Sequence, residues 1–370
     1  MRASFARPEL LAAMRQAASG PPLLITGPPG SGKTTLLHAT ADALATEGWR
    51  PVSLDLLTAA TSPERFVRAA LSALPEGLPA RAAARAREAD QLAHAGRAEG
   101  ARAVQALLSV WAALDTVDGR PVVLLLDEPT EIRSLAYFAG LREVDGPFGA
   151  ALAARPRGTI LATAFPGVAR KLWPQLATFA LPTLSPSELQ AEARTRGLRA
   201  DGSAVAALSF GWPRYARLLL DRLDQGLSPA AAWAQEMALG GGIEQACRHT
   251  YEVLLLRSRG YGMSKAVLAA VATEEGLNLT ALVARLGRTP GAIRDYLGWL
   301  LAVDALRSTR KRYYYVDGMM RLWVRLHGRG LRATEEEILD CAREILAVAA
   351  PAAPEPALPV PRHQGLMEID

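Results

Sequence analysis

Residues Gly27-Pro28-Pro29-Gly30-Ser31-Gly32-Lys33-Thr34 follow the spacing G-x-x-x-x-G-K-T, and no other stretch restricts the fold of the chain so strongly. An apolar run, Leu23-Leu24-Ile25-Thr26, precedes the loop and reads as a buried strand. Residues 35–44 follow it and read as a helix. Strand, glycine-rich loop and helix form the context that the spacing requires. The glycines let successive backbone N–H groups turn inward onto phosphate oxygens, and the helix start adds the positive end of its dipole. In such a loop Lys33 reaches the β- and γ-phosphates and the Thr34 hydroxyl ligates Mg²⁺, with Thr35 completing the contact set. The ligand implied is a nucleoside triphosphate, ATP, with Mg²⁺ as its companion ion.

A chain of 370 residues has room for two or three domains. Half of the residues are apolar and 21% are charged, which excludes a disordered chain and fits a sizeable core. Cys247 and Cys341 are far apart and lack metal-ligand spacing, so free buried thiols in a reducing compartment are expected. The first residues contain no apolar segment of a secretory leader, and no run approaches the roughly 20 apolar residues of a membrane span. A cytoplasmic location without a membrane partner is the expectation.

The first part of the chain alternates strand-like and helical runs, which predicts an α/β fold with a parallel sheet between helices. Residues 51–56, 122–126, 159–164 and 178–181 are the further strand candidates. Ser62-Pro63-Glu64 opens a helix with a cap and a first-turn proline. Residues 80–104, rich in Ala and Arg, predict a solvated helix or helical hairpin. From Ser185 the pattern is helical, beginning with the capping box Ser185-Pro186-Ser187-Glu188. Helical runs follow at 205–223 and 228–237, and Gly240-Gly241-Gly242 reads as a joint. Residues 350–361 are Pro/Ala-rich and predict a disordered or extended tail, whose end offers a short mixed docking peptide for a protein partner.

Hydrolysis needs more than a phosphate loop: a metal clamp and a group that orients water. Val122-Val123-Leu124-Leu125-Leu126 is apolar throughout, as a strand buried on both faces should be, and it ends in Asp127-Glu128. Asp127 is placed to hold Mg²⁺, and Glu128 to polarise the attacking water. Thr163, ending the next strand, is a candidate for contact with the γ-phosphate or that water, its bland alternative being an ordinary β-branched strand residue. Arg133, Arg155, Arg157 and Arg170 are candidates for stabilising transition-state charge.

Taken together, these residues resemble the AAA+ ATPase superfamily, and within it the archaeal-type ATPases, related to the STAND group. The likeness spans about residues 5–325. Phe5, Arg7 and Glu9-Leu10 stand where that family has an F-x-R-x-E-L-like box beside the base. Asp127-Glu128 matches its Walker B pair and Thr163 its sensor 1 position, where Ser or Asn is more usual. Leu184 to Glu188 resembles the entry into a helical lid, and Gly211-Trp212-Pro213 the G-x-P signature. The resemblance then makes Arg214 the sensor 2 arginine, a surface arginine at a helix start being the competing reading. It implies a P-loop ATPase core over 1–183 and a lid over 184–245. No repeat array follows, which argues against a full-length STAND receptor.

The remaining sequence predicts a winged helix-turn-helix over 246–330, a C-terminal helix over 331–349 and the tail over 350–370. Residues 263–275, 279–286 and 290–301 read as helices, the last with Ile293, Leu297 and Leu300 on one stripe. Residues 305–309 and 313–316 read as strands joined by the basic turn Arg310-Lys311-Arg312. Tyr314, Asp317 and Trp323 resemble the ending of the archaeal-type ATPase C-terminal domain. From 250 to 332 there are 14 Lys/Arg and 6 Asp/Glu, a local balance of +8 against +5 for the whole chain. Arg294 on the second helix, with Arg310, Lys311 and Arg312 on the wing, would meet DNA phosphates, with little base readout. The overall expectation is an ATP-hydrolysing switch whose winged helix contacts DNA, with self-assembly into a homo-oligomer compatible with it. The alternative is a nucleotide-dependent regulator or scaffold that binds a protein and turns over little.

Overall fold

Five of the apolar runs align as a parallel sheet, and their order decides where the polar strand ends meet. The computed structural model describes residues 5, 7–328 and 333–348, so the tail predicted over 350–370 lies outside the described residues. The strands are β1 (Leu23–Thr26), β2 (Arg50–Asp55), β3 (Thr116–Val117), β4 (Arg120–Asp127), β5 (Thr159–Thr163) and β6 (Ala177–Ala180). Their order is β2-β4-β5-β1-β6, with the short β3 antiparallel on the start of β4. β5 therefore lies between the strand that feeds the glycine-rich loop and the strand that ends at Asp127. Register brings the ends together: Thr26 lies opposite Thr163, and Asp127 opposite Ala162.

Side-chain alternation covers both faces, as a parallel sheet requires. Leu24, Leu124, Leu126 and Leu161 enter one core, with Phe66, Trp111 and Phe148. Ile25, Val123, Leu125 and Ile160 enter the other, beneath the helices Pro8–Ala17 and Lys33–Thr46. Each such Leu or Ile removed from water contributes roughly 2 kcal/mol. The Ala/Arg-rich stretch forms the first arm of a helical hairpin, Ala80–His94, whose Ala82, Ala89 and Ala93 pack against the helix Gly100–Ala113. Only small side chains allow that close approach.

Beyond the sheet the chain is helical. Ser185 Oγ accepts the Glu188 N–H and Ser185 N–H donates to Glu188 at 2.7 Å, so the expected capping box forms. The run expected over 205–223 divides into the helices Gly202–Ser209 and Pro213–Leu223. The break has a steric cause. Phe210 and Gly211 are both left-handed, and a Cβ on Gly211 would meet the Leu184 carbonyl at 2.7 Å. At the expected joint, Gly242 N–H donates to the buried Glu236 carboxylate, which also pairs with Arg222 at 2.5 Å. That bend is pinned at both ends by hydrogen bonds.

A long helix, Gly242–Arg257, leads to three shorter ones, Tyr261–Thr273, Leu279–Leu286 and Pro290–Ala302. They pack with a second sheet of β7 (Leu277–Asn278), β8 (Leu306–Thr309) and β9 (Arg312–Tyr315), in the order β7-β9-β8. Asp317 caps the next helix, Gly318–His327, whose Trp323 is buried. The final described helix is Glu335–Val348. One apolar core runs from Leu208, Tyr215 and Trp233 through Ile293, Leu297 and Leu300 to Trp323 and Ala342. The helices after the sheet and the C-terminal unit thus share a single core. Cys247 and Cys341 are both free and buried.

Candidate functional site

The glycine-rich loop leaves β1 and turns into the helix Lys33–Thr46, with Gly30 and Gly32 both left-handed. Lys33 is buried, and its ammonium donates to the carbonyls of Gly27 and Pro28 at 2.8 and 3.1 Å. Burial pulls its pKa below the usual lysine value, while Glu128 and Asp127 nearby pull it back up. Ser31 Oγ is buried in the same loop without a protein partner. Thr34 Oγ1 donates to Asp127 Oδ2 at 2.5 Å, which joins the start of the loop helix to the end of β4.

Glu128 follows Asp127 in a left-handed conformation, φ 47°, an uncommon state for a side-chain-bearing residue. The strain is held by hydrogen bonds on every side. Its N–H donates to the Ala162 carbonyl at 2.7 Å and its carbonyl accepts the Glu131 N–H at 3.0 Å. Its carboxylate accepts from the Thr163 hydroxyl at 2.9 Å and from the Ala164 N–H at 2.8 Å. Burial pushes the Glu128 carboxyl up to about 6, against the lowering influence of Lys33 and Thr163. Thr163, fully buried, is therefore engaged with Glu128 and with the Phe165 N–H at 3.1 Å.

A cavity of about 890 Å³ opens beside the loop, between the N-terminal segment and the helix Pro213–Leu223. It is lined by Gly30 to Leu36, Phe5, Arg7, Arg214, Arg217 and Gln245. Arg7 anchors one wall by donating to the Pro182 carbonyl at 2.7 Å and to Glu188 at 3.1 Å. Arg214 forms the other. Its N–H donates to the Gly30 carbonyl at 3.2 Å, and a Cβ on Gly30 would meet the Arg214 side chain at 2.8 Å. Only glycine at that position lets the helix lie on the loop.

The structure brings Lys33, Thr34, Asp127, Glu128, Thr163 and Arg214 to one end of the sheet. It separates two of the arginines proposed for transition-state charge. Arg155 is buried and donates to the carbonyls of Trp111, Leu114, Val122 and Gly158, closing the opposite end of the sheet. Arg157 pairs with Asp115 at 3.0 Å in the same region. Arg155 supplies donors to backbone carbonyls that need them, and Arg157 is held by the Asp115 carboxylate, so neither guanidinium reaches the loop. Arg133 and Arg170 are exposed, and Arg170 donates to the Pro166 carbonyl at 3.3 Å.

In the C-terminal unit Arg294, Arg310, Lys311 and Arg312 are all exposed. The turn is tighter than the sequence reading placed it. Arg310 and Lys311 alone form it, at φ 51° and 61°, while Arg312 pairs with Thr309 in the ladder and donates to the Gly276 carbonyl at 2.7 Å. Among the residues that sequence reasoning missed are Arg217 and Gln245, which carry no motif and reach the cavity only through the helix packing.

A parallel sheet with a phosphate loop on one strand and Asp-Glu ending another defines a P-loop nucleotide hydrolase fold. Residues 7–141 match the model of the AAA ATPase domain family. The fold is shared with the Walker-type ATPase PABY2304 of Pyrococcus abyssi at TM-score 0.63, with 14% identity over 87% of this chain and 96% of that one. A STAND protein with a tetratricopeptide repeat sensor from Pyrococcus horikoshii aligns at TM-score 0.35 and 15% identity, over 92% of this chain and 45% of that one. RuvB of Thermotoga maritima, in a mutant form, aligns at TM-score 0.37 and 18% identity, over 84% and 90% of the two chains. At such scores the last two carry no argument about this chain. No curated protein matches the sequence. Among the described residues no helix is long and apolar enough to cross a membrane.

Proposed function

We propose that the chain binds ATP with Mg²⁺, hydrolyses it with Glu128 as the base, and uses the cycle to switch a C-terminal winged helix that contacts DNA. In this reading 1–183 is the ATPase core, 184–245 the lid and 246–330 the winged helix, and the protein acts in the cytoplasm. The observation that carries it is the meeting of the Thr34 hydroxyl and the Asp127 carboxylate at 2.5 Å, one residue from Glu128 and beside Lys33.

That donor pair fits Mg²⁺, a hard cation held in such sites by one or two protein oxygens, with water and phosphate oxygens supplying the rest. When bound, the ion neutralises charge on the β- and γ-phosphates. Lys33 adds a second positive charge at those phosphates, and the loop N–H groups orient them. Glu128 takes the proton of the attacking water at its carboxylate. Arg214, already on the loop, reports the state of the γ-phosphate to the helix it begins.

Support for DNA contact comes from the wing. A two-residue hairpin turn with both residues left-handed favours Asn-Gly, yet here it is built from Arg310 and Lys311, at a cost on the order of 1 kcal/mol per residue. Strain of that kind collects at functional positions, and it places two cations at an exposed tip. Replacing Arg310 by Asn and Lys311 by Gly removes both charges while favouring the same turn. The double variant is expected to bind duplex DNA more weakly, and the slope of log affinity against log salt should fall by about 2. Unchanged affinity and slope would remove the wing from the proposal.

The other reading, a regulator that binds a protein and hydrolyses little, is favoured by the full engagement of the Glu128 carboxylate with Thr163 and Ala164. Turnover separates the two. Purified protein with Mg²⁺ and ATP should release phosphate, in the presence or absence of duplex DNA. No release under either condition sinks the enzyme reading.

A further inference from the structure

Arg257 ends the helix that leads into the C-terminal unit, yet its side chain lies on the ATPase core. Its guanidinium pairs with Glu131 at 2.7 Å and stacks on the Phe165 ring, 4.2 Å from the centroid. Those two residues flank the catalytic machinery. Glu131 N–H donates to the Glu128 carbonyl, closing the turn in which Glu128 is left-handed. Phe165 N–H donates to Thr163 Oγ1, and that hydroxyl donates to the Glu128 carboxylate. The contacts form a closed ring: Glu128, Glu131, Arg257, Phe165, Thr163 and back to Glu128. Every member but Arg257 belongs to the ATPase core.

A second contact follows along the same segment. The Asp304 carboxylate, in the turn before β8, accepts the Gly167 N–H at 2.8 Å. A Cβ on Gly167 would meet that carboxylate at 2.5 Å, so the two surfaces touch there. The C-terminal unit is thus seated on the four residues that follow Thr163.

We infer that Arg257 is a positioning residue for hydrolysis, which fixes the turn and the loop on either side of Glu128 and makes turnover depend on the seating of the C-terminal unit. The inference rests on the reading of Glu128 as the base. The side chains of Arg257 and Glu131 are 31% and 14% exposed. Both side chains keep some contact with water, so the pair adds little to folding. A carboxylate in a strained backbone needs its geometry held within fractions of an ångström to work as a base. Loss of Arg257 should therefore be small for folding and large for chemistry.

The test is steady-state kinetics of Arg257→Ala, Arg257→Lys and Glu131→Gln in the full chain, with ATP and Mg²⁺, beside thermal melting. Arg257→Ala is expected to lower kcat about tenfold with KM within about twofold. Tm should move by no more than about 4 °C, because the pair is worth so little to folding. Glu131→Gln should change kcat in the same direction, and Arg257→Lys should recover part of it, keeping the charge without the planar stack. An unchanged or raised kcat overturns the inference. So does a rise in KM equal to the loss in kcat, or a fall shared by Tm and by the lysine variant alike. If the wild-type protein itself does not turn over, or Glu128→Gln turns over normally, the underlying reading of Glu128 fails instead.

Discussion

Glu128→Gln is expected to lower ATP turnover by about 10²–10⁴-fold while ATP binding stays within a few-fold of wild type. The substitution removes the base and almost nothing else. Glutamine keeps an oxygen to accept the Ala164 N–H, and the Thr163 hydroxyl can rotate to accept from the new amide. The left-handed turn is held by backbone bonds to Ala162 and Glu131, which the substitution leaves in place. In the wild type the same group sets a pH limb. Burial lifts its carboxyl to about 6, so the basic form is present above that pH, and kcat should fall as pH drops through it. A glutamine variant that turns over at the wild-type rate, measured by phosphate release, would assign the base elsewhere.

The site was legible in the sequence where a motif fixes local geometry. Gly27 to Thr34 and Asp127-Glu128 need only a strand before them and a turn after them, and period and composition reveal both. The capping box at Ser185 is local for the same reason, whereas the break before Pro213 was hidden because it depends on Gly211 meeting the distant Leu184 carbonyl. What the sequence did not reveal depends on side chains meeting from distant segments. Arg155 and Arg157 lie close to Thr159 in sequence, so they looked available to the nucleotide. They face the amino ends of the strands, because a parallel sheet puts strand starts and strand ends on opposite sides. Arg257 had the reverse problem. Nothing near it in sequence marks it, and only the packing of the helix Gly242–Arg257 brings it to Glu131 and Phe165. The basic turn was shifted by one residue, since the sequence cannot distinguish a cation in the turn from one in the first ladder pair.

Lys33→Ala separates binding from chemistry in the other direction. Lys33 is 5% exposed, and its ammonium lies near the Glu128 and Asp127 carboxylates. A charge-assisted bond to phosphate is worth about 1.5–3 kcal/mol, so affinity for ATP should fall by roughly 10- to 100-fold. The loss reaches further than the direct bond. Lys33 holds the Glu128 carboxyl down against burial, and without it that carboxyl rises further above its ordinary range. Less of the base is then ionised at neutral pH, and turnover should vanish even at saturating ATP. Asp127 would also lose a compensating cation, which adds repulsion toward the phosphates. Fluorescent-nucleotide titration and phosphate release measure the two effects separately. A Lys33→Ala protein that binds ATP as tightly as the wild type would show that the loop N–H groups alone hold the phosphates. Binding kept in Glu128→Gln but lost in Lys33→Ala would assign capture to the loop and cleavage to the end of β4.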